Sequence, residues 1–201
     1  MHVRFDILAG FVAFGIVAAA TPGPNNLMLM TSGVKFGFGR TLPHLAGVVL
    51  GFSLMTALLG LGLDAAFQRI PQLLPVMRVL GALYMLWLAM KVAFAKPLGE
   101  VEGGGRPLGF LPAVAFQWVN PKAWVAILGA LAAYAPMTDA YAQSVALMVV
   151  LFTAITIPSA AAWALFGTAL KRLLSDPRAV RPFNFAMAAV LVASIAPILF
   201  E

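Results

Sequence analysis

The sequence predicts an all-α integral membrane protein: six transmembrane helices in a 3+3 inverted repeat, with helices 1 and 4 broken near the membrane midplane. Three observations lead there. Of the 201 residues, 62% are hydrophobic and 10% charged, where a soluble domain has roughly a quarter charged, and the mean hydropathy is +0.96. Six apolar runs are long enough to cross about 30 Å of hydrocarbon at about 1.5 Å of helix per residue. Two of them, the first and the fourth, carry prolines and amides in their middles: "ATPGPNN" at 20–26 and "FQWVNPKAW" at 116–124.

The first span, residues 7–34, is interrupted at Pro22, Gly23 and Pro24. His2, Arg4 and the small residues 18–20 also fit the start of a secretory signal peptide. The apolar run resumes at once from Leu27 and reaches Lys35 and Arg40, which favours one long interrupted span. The second span, 42–63, carries Gly47 and Gly51 at the spacing that lets helices approach closely, within one chain or, as the alternative, across a homodimer. His44 near its start is expected at the headgroups. The third span, 73–95, holds Tyr84 and Trp87, which read with Trp118, Trp124 and Trp163 as packing or interfacial anchors; Arg78 and Lys91 near its ends read as snorkelling side chains.

Residues 96–107, "KPLGEVEGGGRP", make a flexible polar linker that divides a single transmembrane domain, 1–201, into halves 1–95 and 108–201. The fourth span, 108–134, is interrupted at Pro121. The fifth, 142–169, contains Pro158, a hinge or an absorbed kink, and the sixth covers 183–200.

Positive charge orients the spans. Nine basic residues fall in the first, third and fifth connections: Lys35, Arg40, Lys91, Lys96, Arg106, Lys171, Arg172, Arg178 and Arg181. Three lie on the other side: Arg4, Arg69 and Arg78. Basic loops stay cytoplasmic, so both termini are expected outside, in the periplasm if the membrane is a bacterial inner membrane. Three spans per half oblige the second half to enter from the opposite face, so any repeat is inverted. Pro22 and Pro121 then stand at matching depths.

A proline in mid-span removes a backbone donor. Pro22 and Pro24 leave the carbonyls of Ala18 and Ala20 without partners four residues ahead, and Pro121 does the same to Gln117. In hydrocarbon each orphan carbonyl costs several kcal/mol, so such a break is tolerated only beside protein, water or a ligand. Asn25, Asn26, Gln117 and Asn120 sit beside the freed groups and either repair them or bind something. The half-helix beyond each break also aims its amide end toward the centre. Carbonyls, amides and side-chain amides together suit a zwitterion.

Lys122 is the one formal charge placed near mid-membrane, about 21 Å of helix from either end of its span. Insertion there costs about 2.5–3.5 kcal/mol. It should face a polar cavity, either bracing the carbonyls of the first break or also attracting a carboxylate. No carboxylate reaches this depth: Asp64 and Asp139 lie at outer span ends, and Glu100 and Glu102 in the linker. That disfavours a cationic ligand, and it leaves a buried lysine as the route for any proton coupling.

Other classes are poorly served. The net charge of +6 is scattered as topology signals and does not suggest nucleic acid. Without cysteine there is no disulfide or thiolate chemistry, and without paired aspartates or an HExxH motif an embedded enzyme has no machinery. No cofactor or metal site is expected. An ion or metal channel or exporter would have only the carbonyls at the breaks for ligands.

"TPGPNN", "HLAGVVLGF", "GALYMLWLAMK" and "FQWVNPKAW", in that order and spacing, resemble the LysE/RhtB family of bacterial amino-acid exporters over nearly the whole chain. Within it, "TPGPNN", "LAGVVLGF" and "FQWVN" are most similar to the cysteine and O-acetylserine exporters. The resemblance implies a six-span inner-membrane efflux protein, with Pro22, Gly23, Pro24, Asn120, Pro121 and Lys122 at the motif positions. Its expected partners are membrane lipids and a small amino acid, moved by alternating access around a midplane site. There the ligand's carboxylate meets Lys122, and its ammonium meets the carbonyls of Ala18, Ala20 or Gln117.

Overall fold

A computed structural model describes residues 4–63, 106–134, 138, 140–171 and 177–193, together with positions 76, 79, 83, 86, 87, 89, 90 and 92–94. Most of the expected third span, with Arg78, Tyr84 and Lys91, lies outside the described residues, as do positions 96–105 of the linker and residues 194–200 of the sixth span. The described elements are helical. They are α1 (Phe5–Ala20), α2 (Pro24–Phe36), α3 (Phe38–Leu58), α4 (Phe110–Phe116), α5 (Pro121–Tyr134), α6 (Tyr141–Leu170) and α7 (Pro177–Ala193). A π turn, Leu59–Leu63, extends α3, and a 3-10 turn, Gln117–Val119, joins α4 to α5.

Among the described residues, two helices are long and apolar enough to cross a membrane, Phe38–Gly62 and Tyr141–Leu170; α1 and α2, bent by 49° at their break, make a third if taken as one span. Each boundary has a local cause. α1 stops at Thr21, whose amide closes the last turn on Val17, because Pro22 has no hydrogen to continue the ladder. α2 stops at Gly37, whose φ of +80° is open only to glycine at low cost, and α3 begins at the next residue. α7 begins earlier than the expected sixth span, so Arg178 and Arg181 lie in helix rather than in the preceding loop.

Glycine sets how closely the helices approach. A Cβ added at Gly33 would lie 2.1 Å from the Ala164 carbonyl oxygen, and one at Gly167 2.0 Å from that of Met30, so α2 and α6 cross backbone to backbone. Thr168 Oγ1 seals the crossing by donating to the Gly33 carbonyl at 3.3 Å. Gly47 and Gly51 do the same for α3 against α4 and the 3-10 turn, meeting Phe110, Ala113, Val114 and Gln117. The small-residue spacing thus serves packing within the chain. Phe11, Phe52 and Phe152 stack edge to face where α1, α3 and α6 meet, with Tyr134 of α5 against Phe11.

Candidate functional site

The two broken regions meet in the interior. Both follow one local rule: a capping residue in extended conformation, then proline as the first residue of the next helix. Gly23 caps α2 ahead of Pro24, and Asn120 precedes Pro121, which opens α5. At that position a missing amide hydrogen costs nothing, since first-turn amides have no helical partner. Pro24 is therefore the structural counterpart of Pro121, where the sequence pattern pairs Pro22 with it. Pro22 instead ends α1.

The breaks differ in how they are repaired. In the first, the Asn26 side-chain amide donates to the carbonyls of Ala19 (2.8 Å) and Thr21 (2.9 Å), and Ser159 Oγ of α6 donates to Ala19 at 2.8 Å. Lys122, from the other break, donates its ammonium to the Thr21 carbonyl and, at 3.4 Å, to that of Pro22. The carbonyls capped by side chains are thus those of Ala19, Thr21 and Pro22, next to the expected pair at Ala18 and Ala20. Glycine at 23 makes room for the brace, for a Cβ there would lie 2.6 Å from Lys122 Cδ.

The second break is repaired locally. The Asn120 amide donates to the Gln117 carbonyl at 3.2 Å, closing the 3-10 turn, so that carbonyl is not left open for a ligand as expected. Asn120 Oδ1 in turn accepts from the Lys122 backbone amide at 3.2 Å, an N-cap on α5. A reciprocal amide pair then ties the halves: Asn25 Nδ2 donates to Gln117 Oε1 at 2.7 Å, and Gln117 Nε2 returns a bond to Asn25 Oδ1 at 3.2 Å. Gln117 also donates to the Ala113 carbonyl at 2.9 Å and is completely buried; Asn120 is 2% exposed.

Between the breaks lies a cavity of about 60 Å³. Of the residues expected at the site, Gly23, Asn25, Asn26, Asn120 and Lys122 line it, whereas Pro22, Pro24, Gln117 and Pro121 are not part of the lining. Its volume suits a few waters. Lys122 supplies the one charged group among the described residues of its lining, and an ammonium has three hydrogens to share, of which two are engaged. Phe52, Phe152, Thr156 and Ser159 complete the wall and escaped the sequence reading, though Pro158 drew attention to the stretch holding two of them. Trp118 and Trp124 pack on each other outside this lining, with Trp124 Nε1 donating to the Trp118 carbonyl at 3.0 Å. His44, expected at the headgroups, is 2% exposed, packed against neighbouring helices.

Residues 16–198 match the family model described as LysE type translocator. The cysteine/O-acetylserine efflux proteins of Escherichia coli (strain K12) and Shigella sonnei (strain Ss046) are each 32% identical to the chain over 188 residues, 92% of this chain and 94% of theirs. The protein of the same name from Salmonella typhimurium (strain LT2) is 30% identical over the same coverage. No solved structure matches.

Proposed function

Since the chain belongs to the LysE type translocator family, transporters rather than enzymes, we propose that it exports a small neutral amino acid or derivative, of the cysteine or O-acetylserine kind, from the bacterial cytoplasm. The observation that carries this reading is the Lys122 ammonium at a cavity between two helix breaks, with no carboxylate among the described residues of the lining. A substrate carboxylate takes the remaining ammonium hydrogen and faces the amide ends of α2 and α5. The substrate ammonium is met by side-chain oxygens such as those of Asn26 and Thr156, because the Gln117 carbonyl is engaged.

A cavity of about 60 Å³ is too tight for a whole amino acid with its water, so loading requires the halves to part. Alternating access of two inverted triplets in the inner membrane, with both termini periplasmic, is the cycle that fits. Its support is the shared cap-then-proline rule at the two breaks and the nine-to-three split of basic residues. Ion passage along the break carbonyls is disfavoured, since Asn26, Ser159 and Lys122 occupy those of Ala19, Thr21 and Pro22.

The test is efflux from cells. Expression should raise extracellular cysteine or O-acetylserine, and Lys122→Ala should abolish the rise while the protein still reaches the membrane. Metal tolerance without amino-acid release would overturn the reading in favour of ion export.

A further inference from the structure

α3 carries a buried polar stripe that the substrate cavity does not use. Ser32 of α2 is 5% exposed, Thr41 0% and His44 2%. Thr41 Oγ1 donates to the Gly37 carbonyl at 2.8 Å and shares a hydrogen bond of 3.0 Å with Ser32 Oγ, so two hydroxyls lead inward from the α2–α3 turn. His44 is one helical turn further along. Val48 follows four residues later and Phe52 four after that, and both line the cavity. Thr41 and Val48 each pack on α2, through Ser32 and Leu29, so His44 between them lies on the same face. Along the axis it stands about 6 Å from Val48 and about 9 Å from the start of α3.

His44 Nδ1 has no hydrogen-bond partner, alone among the buried side-chain nitrogens and oxygens of the described residues. An orphan of this kind is destabilising, and a leucine would pack there without it. Among the described residues, the charged groups on the elements against α3 are Lys35 at the end of α2, Arg106 ahead of α4 and Lys171 after α6, with Arg40 on α3 itself. All four are exposed cations. Asp6, paired with Arg4 at 3.6 Å near the start of α1, is the only carboxylate side chain among the described residues. Lys122 is committed to the break carbonyls. His44 is left as the interior base with an open nitrogen.

We propose that His44 is the proton-binding station of the export cycle, joined to the cytoplasmic mouth through the Ser32–Thr41 hydroxyl pair. A proton arriving from the periplasmic side adds to the free imidazole nitrogen. After the halves rock it leaves along the hydroxyls to water at the Gly37 turn, so one proton enters the cell for each substrate released. The inference rests on the exporter reading above.

Inside-out vesicles of the full chain, loaded acidic by one pH unit and given reduced radiolabelled cysteine, provide the test. The gradient should drive up to about tenfold accumulation for one-to-one exchange. His44→Gln should accumulate none, yet keep cysteine-for-cysteine counterflow without a gradient, because the cavity is intact. Thr41→Val should slow gradient-driven uptake and spare counterflow; it also serves should His44→Gln fail to reach the membrane. Wild-type accumulation in His44→Gln, or wild-type counterflow that ignores the gradient, would overturn the proposal. A wild type without counterflow would overturn the exporter reading and this inference with it.

Discussion

The two helix breaks use the same opening device and opposite methods of repair. The break before α5 is finished within a few residues: Asn120 donates to Gln117, accepts from Lys122, and proline begins the helix. The break before α2 is wider, bends the chain by 49°, and draws donors from Asn26, Ser159 and Lys122, on three helices. A locally closed break behaves as a rigid fitting, whereas one held by distant side chains changes whenever those helices move. The first break is accordingly the more sensitive of the two to movement of the helices around it.

Substitutions can set the two apart. Lys122→Met keeps the side chain's length and removes its hydrogens, stranding the carbonyl of Pro22 and leaving that of Thr21 to Asn26 alone. Stability in detergent should fall by about 2–4 kcal/mol and export below detection, and unchanged melting would show that the brace carries no weight. The Asn25–Gln117 pair comes next. Changing either to leucine should destabilise, and the double variant should cost less than the two singles combined, with a coupling of about 1–2 kcal/mol in a double-mutant cycle.

Asn120→Ala should cost about 1 kcal/mol, the ordinary loss of a cap, and leave the first break shut. With no native cysteine, alkylation of Ala18→Cys reports on that break, and its rate should rise in Lys122→Met yet not in Asn120→Ala. Ser159→Ala should have the smallest effect, about 0.5–1 kcal/mol, because Asn26 still reaches the Ala19 carbonyl. Equal effects at both breaks would erase the distinction.

Much of this was legible beforehand. Prolines inside apolar runs locate both interruptions, and the expense of a lysine at depth requires that Lys122 find oxygen partners nearby. Lys122 does find such oxygens, donating to the carbonyls of Thr21 and Pro22. What stayed hidden depends on azimuth. α6, and α3 between Leu45 and Phe52, are apolar nearly all round, so no stripe in those stretches tells which side of them faces inward. Depth along a span could be estimated for His44, but its burial against neighbouring helices could not. Phe52, Phe152 and Ser159 were missed for the same reason. The pairing of Pro22 with Pro121 failed differently: equal distance along the chain does not guarantee equal local role, and the cap-then-proline pattern selects Pro24.

The Lys122 brace also dictates an order of assembly. Thr21 leaves the ribosome 101 residues before the ammonium that satisfies it, and Ala19 leaves 140 residues before the Ser159 hydroxyl. During that interval the nascent first half has only Asn26 to cover its exposed backbone. It must linger beside the translocon or in wet surroundings until the second half is delivered. A truncated N-terminal fragment is therefore an unfinished membrane protein, and quality control would meet it with raw carbonyls still turned toward lipid.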